Sequence, residues 1–190
     1  FNWLWRADDR SWSYFVDWHN KLYKTSFTKR DFLSPDFNER FGISSDVLHR
    51  RVMGMYTAVG VRNLVPASGA VSGVRELSKI GKTLVVTSRP PQMQEDTHFW
   101  LKANFGMVIN RGVHFTWNRH LDGNPKDLQT KLDVCLREKV SCLLEDDLNY
   151  AVPCAEKGVQ VLLFDYYGDV SLGRNIHPVY SWSEAVAKIK

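Results

Sequence analysis

Short apolar, β-branched runs alternate with segments of helical spacing through the second half of this chain, and that alternation restricts its fold more than any other feature. "TLVVTSR" (83–89), "GMVIN" (106–110), "VSCLLE" (140–145) and "VQVLLFD" (159–165) read as strands. Between them, "DTHFWLKANF" (96–105) offers Phe99, Trp100 and Phe105 to an apolar helix face. "PKDLQTKLDVCLREK" (125–139) is expected as a helix opened by Pro125, with Leu128, Leu132, Cys135 and Leu136 on one side. "LNYAVPCAEKG" (148–158) is expected to end at Gly158 and to kink or restart at Pro153. "SWSEAVAKIK" (181–190) closes the chain as a helix capped by Ser181 or Ser183. Strand and helix in turn define an α/β fold: a doubly wound, Rossmann-like parallel sheet with helices on both faces. Ligands of such sheets bind outside the carboxyl ends of the strands.

The first half has a different texture. "FNWLWR" (1–6) is expected as a strand and "SYFVDWHNKLY" (13–23) as an amphipathic helix. Residues 24–65 mix helical patterns ("SSDVLHRRVMGMY") with loop signals ("LSPDFNERFG"), which predicts a small helical cap inserted into a single domain spanning 1–190. "VPASGAVSGVRELSKIG" (65–81) then returns as a helix closed by Gly81. With 190 residues, 44% apolar and 24% charged, the chain suffices for one well-cored globular domain. Its 25 basic and 21 acidic residues leave a net charge of +4, and the cations are scattered, which excludes a nucleic-acid-binding arm. No apolar run approaches the ~20 residues of a membrane span, so no membrane partner is expected. Cys135, Cys142 and Cys154 lack metal-ligand spacing and read as core thiols of a reducing, intracellular compartment. The chain opens on Phe1 without a signal-peptide pattern, and a removed leading segment leaves a mitochondrial location beside a cytoplasmic one.

Two strand ends hold the chemistry. "LLEDDLNYA" (143–151) sets Glu145, Asp146 and Asp147 at the end of an apolar run, where carboxylates suit a hard divalent cation or, equally, the positive end of the next helix. "VVTSRP" ends an earlier strand with Thr87 and Ser88, hydroxyls that suit an anion or simply cap a turn, followed by Arg89. Lys131 lies on the intervening helix and by itself reads as one more solvated lysine.

Taken in order, "VVTSRP", the helix containing "THFWL", a lysine on a later helix and "LLEDD" resemble the haloacid dehalogenase-like (HAD) superfamily. The branch they resemble is the small 5′-nucleotidase-like phosphatases. The resemblance runs from "FVDWHNKLYKTSFTKRDF" through "VPASGAVSGVREL" to "VLLFDYYGD", most of the chain. It implies phosphoryl transfer through an aspartyl-phosphate, a reaction that rests on positioning and charge neutralisation. It implies that Thr87, with Ser88 beside it, and Lys131 hold phosphate, with Lys126 a weaker match than Lys131. It implies that Asp146, flanked by Glu145 and Asp147, ligates Mg²⁺, and that Arg89 orients the loop or touches substrate.

One part of the family pattern is missing. The first motif should end a strand with Asp-x-Asp, yet the family spacing lands on Trp3 and Trp5. An indole is only an N–H donor and can neither attack phosphorus nor ligate Mg²⁺. The leading expectation is therefore a HAD-like pseudophosphatase with a binding or structural role, as a subunit of a larger assembly. The alternative is an active Mg²⁺-dependent phosphomonoesterase of the 5′-nucleotidase type, with a phosphate-bearing small molecule as substrate and Asp8 or Asp9 as nucleophile. Against it, the residues two positions on are Arg10 and Ser11, so neither register restores Asp-x-Asp, and both aspartates also suit a turn or helix cap. Phosphate sensing without turnover, through Thr87, Ser88 and Lys131, is a third possibility. Trp3, Trp5, Trp12, Tyr14 and Trp18 crowd the start of the chain, as filling of a vacated polar site or as a docking surface for a protein partner.

Overall fold

A strand whose side chains are buried at consecutive positions must be covered on both faces, and β4 (Gln160–Phe164) is such a strand: only Gln160 is exposed. Strand alternation divides its side chains. Val161 and Leu163 join a cluster with Cys135, Ala151, Cys154 and Ile176. Leu162 and Phe164 join a second, larger cluster with Val74, Trp100, Val179 and Trp182. β4 pairs in parallel with β3 (Cys142–Glu145), Leu143 opposite Val161, and with β5 (Ile176–Val179), Leu162 opposite His177. β1 (Val85–Thr87) and β2 (Val113–Phe115) form a further parallel pair, Thr87 opposite Phe115. This computed structural model describes residues 9–28, 31, 39, 41–89, 91–116, 129–164 and 172–190. The expected strand "FNWLWR", with Trp3 and Trp5, lies outside them, as do Asp8, Pro125, Lys126 and Leu128.

Helices cover both faces of the three-stranded sheet, as the apolar run of β4 requires. α3 (Ala70–Ile80), α4 (Gln94–Phe105) and α7 (Trp182–Ile189) contribute to the larger cluster. α1 (Asp9–Tyr23) and α2 (Ser45–Val59) extend it through Val16, Met55 and Tyr56. α5 (Lys131–Arg137) and α6 (Leu148–Glu156) close the other face. α2 is the described helix of the 24–65 segment and begins at an Ser44 cap. No described helix is long and apolar enough to cross a membrane.

Several boundaries differ from the sequence expectation, each for a local reason. "GMVIN" is not a strand: Gly106–Val108 is a 3-10 turn, and the strand follows at Val113–Phe115. Gly106 ends α4 at φ +60, and Met107 is 92% exposed, so its apolar character marks no buried run. α5 begins at Lys131 because Thr130 and Asp133 form a capping box there. α3 begins at Ala70, after Gly69 at φ +76. α6 runs through Pro153, and Ser181 caps α7 by accepting from the Glu184 N–H. β5 has no counterpart among the expected strands, since Pro178 within it argues against a strand; at the end of the β3–β4–β5 order it is tolerated.

Candidate functional site

The loop leaving β1 is fixed by its own backbone. Thr87 is buried, and its carbonyl accepts from the Thr116 N–H at 2.7 Å and from the Thr116 hydroxyl at 3.3 Å. Its Oγ1 accepts from the Arg89 N–H at 3.2 Å, which leaves the Thr87 proton to donate. Ser88 is half-buried beside it. Arg89 turns inward: its residue is 4% exposed, its Nη1 donates to Thr97 Oγ1 at 3.1 Å, and its Cζ lies 5.5 Å from the Tyr56 ring centre. Burial pulls the Arg89 guanidinium below its ordinary pKa, and Tyr56 opposes that shift.

The loop leaving β3 faces the start of α5. Strand alternation puts Glu145 on the same side as Leu143, toward α5 and α6. Lys131, the first residue of α5, meets it there: Nζ donates to Glu145 Oε2 at 2.7 Å, with the two side chains 2% and 1% exposed. Glu145 Oε1 accepts from the backbone N–H groups of Asp146 at 3.0 Å and Asp147 at 3.3 Å. The Lys131 ammonium also sits 4.0 Å from the Tyr150 ring centre. Burial pushes the Glu145 carboxyl up, the adjacent Lys131 is the largest influence pulling it down, and the carboxyl ends below its ordinary range. A buried ion pair is tolerated only when its remaining hydrogen-bonding capacity is met, as the two N–H groups meet it here. Asp147 caps α6, accepting from the Asn149 N–H at 2.9 Å; Asp146 is half-buried between them.

The fold thus joins Lys131 and Glu145 directly and packs α5, which carries Lys131, against β1, which ends in Thr87. Asp9 opens α1, and Asp8, Trp3 and Trp5 lie outside the described residues. Tyr150 and Thr97 carry no sequence signal for their roles, because contact between helices is invisible in a linear pattern. The burial of Arg89 is equally hidden, since arginine is ordinarily exposed. Whether the donor set fits Mg²⁺ turns on the carboxylates. Glu145 is compensated by an ammonium and Asp147 is a cap, so both carboxylates are already engaged within the protein. Among the described residues no cluster of three potential ligands forms. Mg²⁺ takes one or two carboxylates and completes its shell with waters and substrate phosphate, and Glu145 and Asp147 are turned here to internal partners.

Fold and site together define an α/β protein whose parallel strands end in a buried hydroxyl loop and a lysine–glutamate pair. A solved structure with a similar fold is a haloacid dehalogenase-like family hydrolase from Streptococcus pneumoniae: TM-score 0.59, 13% identity, covering 96% of this chain and 92% of that one. No family model and no curated protein matches the chain. At that identity the likeness shows a shared α/β fold.

Proposed function

We propose that this chain is a pseudophosphatase of the haloacid dehalogenase type, a phosphatase scaffold kept for binding rather than turnover. The observation that carries the reading is the buried Lys131–Glu145 pair at 2.7 Å. In an enzyme of this type the lysine holds phosphate and the acidic run holds Mg²⁺; here the two neutralise each other. Trp3 and Trp5, at the sequence positions of the two aspartates, remove the nucleophile as well. Loss of one member of a catalytic unit costs ~10⁴–10⁶ in rate elsewhere, so ordinary turnover is not expected. Thr87 still offers a hydroxyl proton at a strand end, where a phosphate-bearing ligand would sit. The Trp-rich start of the chain suits docking to a protein partner within a larger assembly.

The test is hydrolysis of a generic aryl phosphate with and without Mg²⁺, wild type against Asp146→Asn. The reading expects no difference between the two proteins under either condition. Turnover that needs both Mg²⁺ and Asp146 would overturn it and direct attention to Asp8 and Asp9 as nucleophiles. Orthophosphate titration of wild type and Thr87→Val checks the binding half: affinity lost with the hydroxyl supports a retained phosphate loop.

A further inference from the structure

Arg89 belongs to the loop after β1, yet its side chain leaves that loop and enters the core. Its backbone N–H donates to Thr87 Oγ1, so its position and that of the Thr87 hydroxyl are set together. Its guanidinium donates to Thr97 on α4 at 3.1 Å and lies 5.5 Å from the ring centre of Tyr56 on α2 and 6.0 Å from that of Trp100 on α4. Tyr56 and Trp100 are themselves buried, at 7% and 0% exposure. Trp100 in turn donates through its indole N–H to the carbonyl of Leu64, just beyond α2. One side chain therefore touches the β1 loop, α4 and the helix of the 24–65 segment. Removing a guanidinium from water is costly, and the planar fork and stacking face of arginine recover that cost only while these neighbours stay in place.

From this geometry we infer that Arg89 is a positioning residue that couples α2 to the Thr87–Ser88 loop, so that an anion held by the loop is registered at α2 without touching Arg89. The inference rests on the reading of that loop as a phosphate site, but its mechanical half stands apart from it. A shift of α2 moves the Tyr56 ring against the guanidinium, and the guanidinium is joined through its own side chain to the backbone N–H that hydrogen-bonds the hydroxyl that would hold the anion. Thr97 meets the Arg89 guanidinium itself, accepting from its Nη1 at 3.1 Å.

Amide hydrogen exchange on the full chain tests it, with wild type, Arg89→Lys and Thr97→Val, each with and without orthophosphate. Lysine keeps the charge but not the fork, and Thr97→Val spares Arg89 while deleting its partner. Without phosphate, both variants should speed exchange about tenfold in the Tyr56 turn of α2 and in the β1 loop, the loss of one charge-assisted hydrogen bond, while α6 and α7 keep wild-type rates. With phosphate, α2 should gain protection in wild type and lose that gain in both variants. Unchanged exchange in α2 of Arg89→Lys overturns the coupling. Weaker phosphate binding in Arg89→Lys alone, with Thr97→Val equal to wild type, makes Arg89 a direct ligand and also overturns it. If orthophosphate protects nothing in wild type, or protects Thr87→Val equally, the phosphate reading fails, and the phosphate-free comparison alone decides the coupling.

Discussion

His19 shows how one buried side chain can fix both its own tautomer and a pH dependence. It is fully buried on α1, and Arg51 Nη1 lies 2.9 Å from its Nε2. An arginine can only donate, so Nε2 accepts and the ring proton sits on Nδ1. Nδ1 then donates to Thr25 Oγ1 at 3.0 Å, and Thr25 passes its own proton to Asn20 Oδ1 at 2.8 Å. Burial, reinforced by the Arg51 charge, lowers the His19 pKa from 6.5 to about 4. Between these values the unfolded chain binds a proton that the folded one refuses. Stability therefore rises with pH across that window and is lost as pH falls from 6.5 toward 4. Urea unfolding at several pH values should show this slope in wild type and a flatter one in His19→Gln. Equal slopes in the two proteins would refute the assignment to His19.

At the scale of elements, the contact between α3 and α7 is set by a missing side chain. A Cβ on Gly73 would lie 2.5 Å from Trp182 Cε3 and 3.0 Å from Cδ2. Trp182 is buried, with its ring centre 5.6 Å from that of Phe164 on β4, so it has little room to retreat. Ala is the better helix former by about 1 kcal/mol, but overpacking a core costs about 1–3 kcal/mol. Gly73→Ala should thus lower the denaturation midpoint by a net loss of up to about 2 kcal/mol. Gly81→Ala is the control, because its Cβ would meet nothing within 4 Å, and it should stay within ~0.5 kcal/mol of wild type. A stabilised Gly73→Ala would show that α7 yields. Elements of this kind were only partly legible in the sequence. The apolar runs of β1, β3 and β4 and the caps of α7 are written in local residue choice. The close approach of Gly73 to Trp182 joins residues far apart in the chain, and no local pattern reports it. "GMVIN" misled because a short apolar run has the same composition in a strand and in an exposed turn.

For the whole molecule, the parity of the strands explains both what could be read of the site and what could not. The positions of Thr87 and the acidic run at strand ends, and of Lys131 on the helix between them, follow from the β–α alternation. The engagement of Glu145 by Lys131 depends on which face each element presents; parity gives the face of Glu145, but the helix that meets it is known only in three dimensions. The same parity makes β4 the shared wall of two cores, with Leu163 on the α5–α6 side and Phe164 on the side of Trp182. If residues 1–190 fold as one domain, damage on either side must destabilise both. Leu163→Ala removes a side chain of 1% exposure and should cost about 2–5 kcal/mol. Its effect should be equal by tryptophan fluorescence, to which Trp18, Trp100 and Trp182 of the core on the opposite face contribute, and by far-ultraviolet circular dichroism, which reports all helices. Coincident transitions, both shifted downward, are the mark of a single cooperative unit. A circular-dichroism transition that shifts while the fluorescence transition stays at its wild-type midpoint would mean that the two faces unfold separately, and that the Lys131–Glu145 pair belongs to a unit less stable than the Arg89 core.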